Sequence, residues 1–214
     1  MTSVPETSAD QLPQAASIIE SSDDWEHLHE ISTSLISENS TTSTLYNRIL
    51  DAAMGVMSSD MASIQSLDPE RNKLQLLAWQ GFHPQSAAFW EWVYLESAST
   101  CGLALFSGCR VVVPDVETCN FMAGTADLEE YRRSNIRAVQ STPLVSRSGQ
   151  LLGMISTHWH EPHQPAKRAL QRLDVLARQA ADLIERSRTL PPRVISAPWN
   201  RHRRRFGPVV FILT

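Results

Sequence analysis

The sequence predicts an α+β domain built around an antiparallel sheet, and three observations carry that expectation. Two pairs of strand-like runs, 61–67 with 73–79 and 138–145 with 151–158, are each joined by a short polar turn, as hairpins require. Amphipathic helical patterns stand before the first pair and after the last. Helices at both ends of an antiparallel sheet must cover one of its faces, because their apolar stripes need a partner layer.

The elements follow in chain order. Residues 1–23 are rich in small polar residues, prolines and acids, and are expected to form a disordered tail. Trp25, Leu28, Ile31, Leu35 and Ile36 then recur at helical spacing behind Asp23 or Asp24 as cap. After the polar break 38–42, Leu45, Ile49, Ala52, Ala53 and Val56 mark a second helix capped within Thr41–Ser43. In the run 61–67, Met61, Ser63, Gln65 and Leu67 alternate with Ala62, Ile64 and Ser66, and the turn 68–72 leads to the strand 73–79. An aromatic segment, 79–84, runs into a helix expected to carry Phe89, Trp90, Trp92 and Val93.

A short helix is expected at 101–106, a β-branched strand at 110–113, and an irregular stretch with one helix near 128–133. The last hairpin turns at 146–150, where Gly149 tolerates positive φ. The longest helix, 166–188, carries Leu170, Leu173, Leu176, Ala177, Ala180, Leu183 and Ile184, and Pro191-Pro192 stops it. The predicted organisation is thus a tail over 1–23, a domain over 24–187 and a basic tail over 188–214.

Composition narrows the function. The 214 residues are 42 % apolar, enough for a real core, and no run approaches the roughly 20 apolar residues of a membrane helix. Nothing at the N-terminus reads as a secretory signal, and three cysteines are too few for a disulfide scaffold, which fits a reducing cytoplasm. The net charge of −4 hides an asymmetry: residues 188–214 hold six arginines and no acid, leaving 13 of the 19 basic groups against all 23 acidic ones before them. An acidic body repels nucleic-acid phosphates, so only the tail offers a polyanion surface. That tail reads either as a phosphate-binding arm or as a disordered remnant after a lost output domain.

Several stretches carry a family likeness. Ser99-Thr100-Cys101-Gly102-Leu103-Ala104-Leu105 with Gly108, Val111–Val116, Ile136–Leu144, Gly149–Trp159 and the helix Leu173–Arg186 resemble successive parts of GAF domains, of the kind found beside PAS modules in bacterial sensor histidine kinases. The resemblance spans about 24–187. It implies a GAF-like six-stranded antiparallel sheet, with terminal helices on one face and a ligand pocket on the other. It further implies a homodimer through the first and last helices, and signalling to a histidine kinase or another output module of a two-component system. No such module follows residue 187 in these 214 residues.

The expected role is therefore a non-catalytic sensory domain with no cofactor, no metal and no catalytic residue. Cys101 leaves an alternative open, because its Cys-Gly-x-Ala setting resembles that of GAF-fold reductases of free methionine sulfoxide, in which a thiolate attacks the sulfoxide sulfur. The later cysteine, Cys119, lies nearer than in that family, and 138–142 lacks the family's acidic pattern; the other reading is a small buried thiol. None of the cysteines precedes a histidine, which argues against bilin attachment. His158, His160 and His163 are spread by strand geometry and Pro162, which favours a solvated loop over a metal site. The aromatic residues 79–94 read equally as a helix covering the sheet or as a pocket wall.

The candidate ligand-binding residues are Phe82, Trp90, Cys101, Asp115, Tyr131, Arg137, Gln140, Thr142 and Ser156. Gln140, Thr142 and Ser156 are placed there on the expectation that they face inward, whereas Asp115 and Arg137 also read as a surface ion pair. The last helix, with its wide stripe, reads as a dimer seam or as packing onto its own domain. A third function, a purely structural dimerisation module with a collapsed pocket, remains beside the sensor and the reductase.

Overall fold

The computed structural model describes residues 41–189, so the expected helix at 24–36, the N-terminal tail and the basic tail from residue 190 on lie outside the described residues, whereas 188 and 189 extend the last helix. Helix α1 (Thr42–Met57) starts where the Thr41 hydroxyl accepts from the Thr44 N–H at 3.2 Å, and ends at Ser58 in the left-handed conformation. The first hairpin follows as β1 (Met61–Asp68) and β2 (Lys73–Gln80). Next come α2 (Pro84–Phe89), β3 (Trp92–Tyr94), α3 (Thr100–Ser107), β4 (Val111–Val113), a 3₁₀ turn (Val116–Thr118) and α4 (Ala126–Arg133). The second hairpin, β5 (Ala138–Val145) and β6 (Leu151–Trp159), leads to α5 (Lys167–Thr189).

The strands form one six-stranded antiparallel sheet in the order β3-β2-β1-β6-β5-β4. The two hairpins thus meet at its centre, where β1 pairs with β6 from Met61↔His158 to Ser66↔Gly153. This is the predicted fold class. One element differs: the expected helix ends at Phe89, and Trp92 and Val93 belong to β3. Lys73, Leu74 and Gln75 would otherwise present bare edge N–H and C=O groups, and pairing with Tyr94, Val93 and Trp92 satisfies them.

Each face of the sheet has its own core. On one face Ala62, Ile64, Ala138, Leu144 and Ile155 pack against α1 and α5. Five stripe residues of α5 (Leu173, Leu176, Ala177, Ala180 and Ile184) are buried in that core, and Leu170 and Leu183 pack against its edge. The wide stripe therefore serves the chain's own domain: two neighbours, a sheet and α1, need a wider apolar arc than one. On the other face Met61, Leu67, Leu74, Val139 and Met154 meet α2, α3, α4 and the loops between them.

Candidate functional site

The second face carries a small cavity. Its floor is Ser63 and Gln65 on β1, Leu76 on β2 and His158 on β6; Phe82, Trp90 and Tyr131 form the roof, and Val93, Ser99 and Cys101 close the rim. The register explains the floor, since residues 61, 63 and 65 point to one side of β1 and stand opposite 158, 156 and 154 of β6.

The roof is a chain of rings. Trp79 stacks on Phe82 at 6.1 Å, Phe82 meets Trp90 edge-on at 5.4 Å, and Trp90 tilts against Tyr131 at 4.9 Å. Trp90 Nε1 donates to Asp127 Oδ1 at 3.1 Å, a buried bond at the start of α4 that fixes the indole. Burial raises the Asp127 carboxyl pKa against the opposing pull of that bond. With the rings in contact the cavity holds about 20 Å³, close to the space one water needs.

Ser99 caps α3, accepting from the Gly102 N–H at 3.1 Å, and so places Cys101 over the sheet. The thiol is enclosed by hydroxyls, 3.3 Å from Ser141 Oγ and 3.2 Å from Ser156 Oγ, which lie 2.8 Å apart. Burial pushes its pKa up, because the thiolate would lose its hydration in this shell. All three cysteines are unbridged; Cys109 is exposed and Cys119 half-buried. Alkylation by iodoacetamide at pH 8 should therefore reach Cys109 first and leave Cys101 unlabelled until urea unfolds the chain, as read by peptide mass mapping. Labelling of Cys101 in the folded protein at the rate of Cys109 would contradict the enclosure.

Among the sequence-selected residues, Phe82, Trp90, Cys101 and Tyr131 line the cavity, and Ser156 lies one layer out on the Cys101 thiol. Gln140 and Thr142 need correction: they face the opposite way. Gln140 stands across from Thr157 and Thr142 from Ile155, so both point at the helices, and Ser141 takes the cavity side. There Arg110 Nε donates to Thr142 Oγ1 at 2.7 Å, Thr142 donates to Gln140 Oε1 at 2.7 Å, and Gln140 Nε2 donates to Thr157 at 3.1 Å. Arg110 closes this chain by pairing with Asp174 on α5. Asp115 and Arg137 form a part-exposed ion pair at 2.8 Å away from the cavity lining, and each shifts the other's pKa toward the charged form.

Two floor residues were missed. His158 is buried with its ring edge against Phe82 at 4.9 Å, and burial pushes its pKa down to about 3, so it is neutral at pH 7. Gln65 is buried on the same floor, four residue pairs along the β1–β6 ladder. Gln65 Oε1 and His158 Nδ1 both lack a hydrogen-bond partner. The other two histidines go elsewhere, His160 Nδ1 to within 2.7 Å of the Asn135 carbonyl and His163 onto the Trp159 ring. Among the described residues no three His, Cys, Asp or Glu side chains converge on a metal-sized site, and no helix is long and apolar enough to cross a membrane.

A six-stranded antiparallel sheet backed by helices and roofed on its other face defines a half-shell α+β domain. The chain belongs to the GAF domain family, whose model matches residues 39–185. Solved structures agree on the fold. The GAF domain of an Acinetobacter phosphoenolpyruvate-protein phosphotransferase is 17 % identical, with 78 % of this chain and 95 % of that one covered at a TM-score of 0.63. A domain of a putative two-component sensor histidine kinase from Sinorhizobium meliloti is 23 % identical, covering 71 % and 95 % at 0.57. The free methionine-R-sulfoxide reductase of Neisseria meningitidis, solved with its substrate, is 20 % identical, covering 77 % and 90 % at 0.58. No curated protein matches the chain.

Proposed function

We propose that this GAF domain is a non-catalytic, cytoplasmic sensory module that binds a small molecule in the roofed cavity and passes the change to an output module such as a histidine kinase. The observation that carries ligand binding is the pair of buried, unpartnered polar atoms on the cavity floor. Leaving such atoms unpaired costs about 1–3 kcal/mol each, a cost that a hydrogen-bonding ligand removes. Mass spectrometry of molecules released from the gently denatured, purified chain tests this reading. The expected result is a stoichiometric small molecule, and an empty spectrum counts against it.

A second reading, a structural dimerising relay, is favoured by the ring contacts that leave so little space under the roof. In both readings the flanking helices carry the signal, and a ligand biases them only by its difference in affinity for two arrangements. Because α5 buries its stripe in its own domain, a homodimer through this helix would use its outer face, where Val175 is exposed. Light scattering at micromolar concentration should give twice the 24.0 kDa chain mass; a monomer argues against coupling between protomers.

Reductase chemistry has less support, since its nucleophile would be a buried thiol with a raised pKa. Incubation with free methionine sulfoxide and a dithiol reductant should give no turnover. Reduction that disappears in Cys101→Ser would reverse this conclusion.

A further inference from the structure

The chemistry of the cavity limits what it can hold. Its polar groups are hydroxyls, an amide, a thiol, a phenol and an imidazole, and among the described residues no lysine, arginine, aspartate or glutamate lines it. The titratable members are all neutral at pH 7: burial lowers the His158 pKa and raises those of Cys101 and Tyr131. The nearest carboxyl facing the roof, Asp127, lies behind Trp90 and already accepts its indole N–H. An anion would enter this shell without a counter-charge and lose its hydration, and a cation would meet only the Asp127 carboxyl, which burial pushes toward its neutral form.

The floor also specifies hydrogen bonding. Gln65 Oε1 is a carbonyl oxygen that can only accept, so its partner must bring an N–H or O–H. His158 Nδ1 stands unpartnered four residue pairs along the β1–β6 ladder. Above them Leu76, Phe82, Trp90 and Val93 give an apolar and aromatic ceiling. Since the cavity is about the size of a water, a larger molecule must shift part of the ring roof, against the Trp90–Asp127 bond that fixes the indole.

We infer that the cavity is selective for a small neutral molecule with one apolar face, which donates a hydrogen bond to Gln65. This inference rests on the ligand-sensing reading and names the class of ligand. It sets the cavity apart from sites built for free amino acids or phosphate-bearing molecules, which need fixed charges.

Three probes of one shape and three charges test it: benzamide, benzoate and benzamidinium. Each is titrated at pH 7 into the full chain, with the backbone amide resonances of β1 and β6 followed by NMR. Benzamide should shift the amides around Gln65, with the two ions at least tenfold weaker. Gln65→Met, close in length but without the acceptor, should weaken benzamide at least tenfold. Its melting temperature should hold or rise, since an unpartnered carbonyl has been removed, and this separates lost binding from lost folding. An ion binding there as tightly as benzamide overturns the neutral-ligand inference and leaves ligand sensing intact. Benzamide failing to shift these amides, or binding unchanged in Gln65→Met, also overturns it. Ligand sensing itself falls only if the released-molecule experiment is empty as well.

Discussion

Between pH 6.5 and pH 5 the protein should lose about 2 kcal/mol of stability through His158 alone. An unfolded histidine titrates near 6.5, whereas the buried His158 resists protonation down to about 3. Across that window the unfolded chain binds the extra proton, so stability rises with pH. The contribution is complete above the unfolded pKa and falls by about 1.4 kcal/mol for each pH unit below it. Asp127 acts in the opposite sense, because its raised pKa makes its burial more costly as pH rises above the unfolded carboxyl value. A comparison with His158→Phe cancels that contribution. Urea unfolding at pH 7.5 and pH 5.0 should show a steep loss in the parent and a slope smaller by about 2 kcal/mol in His158→Phe, which keeps an aromatic ring against Phe82. Equal slopes in the two proteins would mean that His158 is hydrated in the folded state.

Gly153→Ala should destabilise the fold by at least about 3 kcal/mol, and so lower the melting temperature by roughly 6–12 °C for a domain of this size. Gly153 sits on β6 across from Ser66 of β1 and Leu144 of β5. A Cβ there would lie 2.0 Å from the Gln65 carbonyl oxygen and 3.2 Å from Ser66 Cα. Both are backbone atoms, so no side-chain rotation relieves the clash and the central strand pair must part. Gly55→Ala is the matched control. It lies in α1 with open space around the added carbon, and should stabilise by about 0.5–1 kcal/mol. Thermal unfolding of the two variants with opposite signs is the expected outcome; a Gly153→Ala protein as stable as its parent would show that the β1–β6 pairing is looser than described.

The sheet was legible where local chemistry marks its turns. Asp68-Pro69 and Gly149 punctuate the hairpins, and the residues between them fell into the strands as read. Strand β3 was not legible, because three residues following a helical turn carry no period of their own, and only the open edge of β2 makes Trp92–Tyr94 a strand. The phase of β5 was hidden for another reason. Its residues 138–142 are all buried, so no exposed position betrays which side is which, and Gln140 and Thr142 were placed under the roof when they belong against the helices. Gln65 carried a usable signal, since the alternation in β1 groups it with Met61 and Leu67, but not the identity of the face that group would meet. His158 stands at the end of the expected strand 151–158, but its grouping with His160 and His163 as a rejected metal set left unread the face that it meets.

By itself the sequence determined the family, the α+β class, the two hairpins and the aromatic segment that becomes the roof, because turn residues, periodicity and ring content act over a few neighbouring positions. Only the tertiary structure decided which polar residues share the cavity and which way the α5 stripe turns. Both depend on strand register and on which layer a face meets, and a one-residue change of register moves every side chain of a strand to the other side.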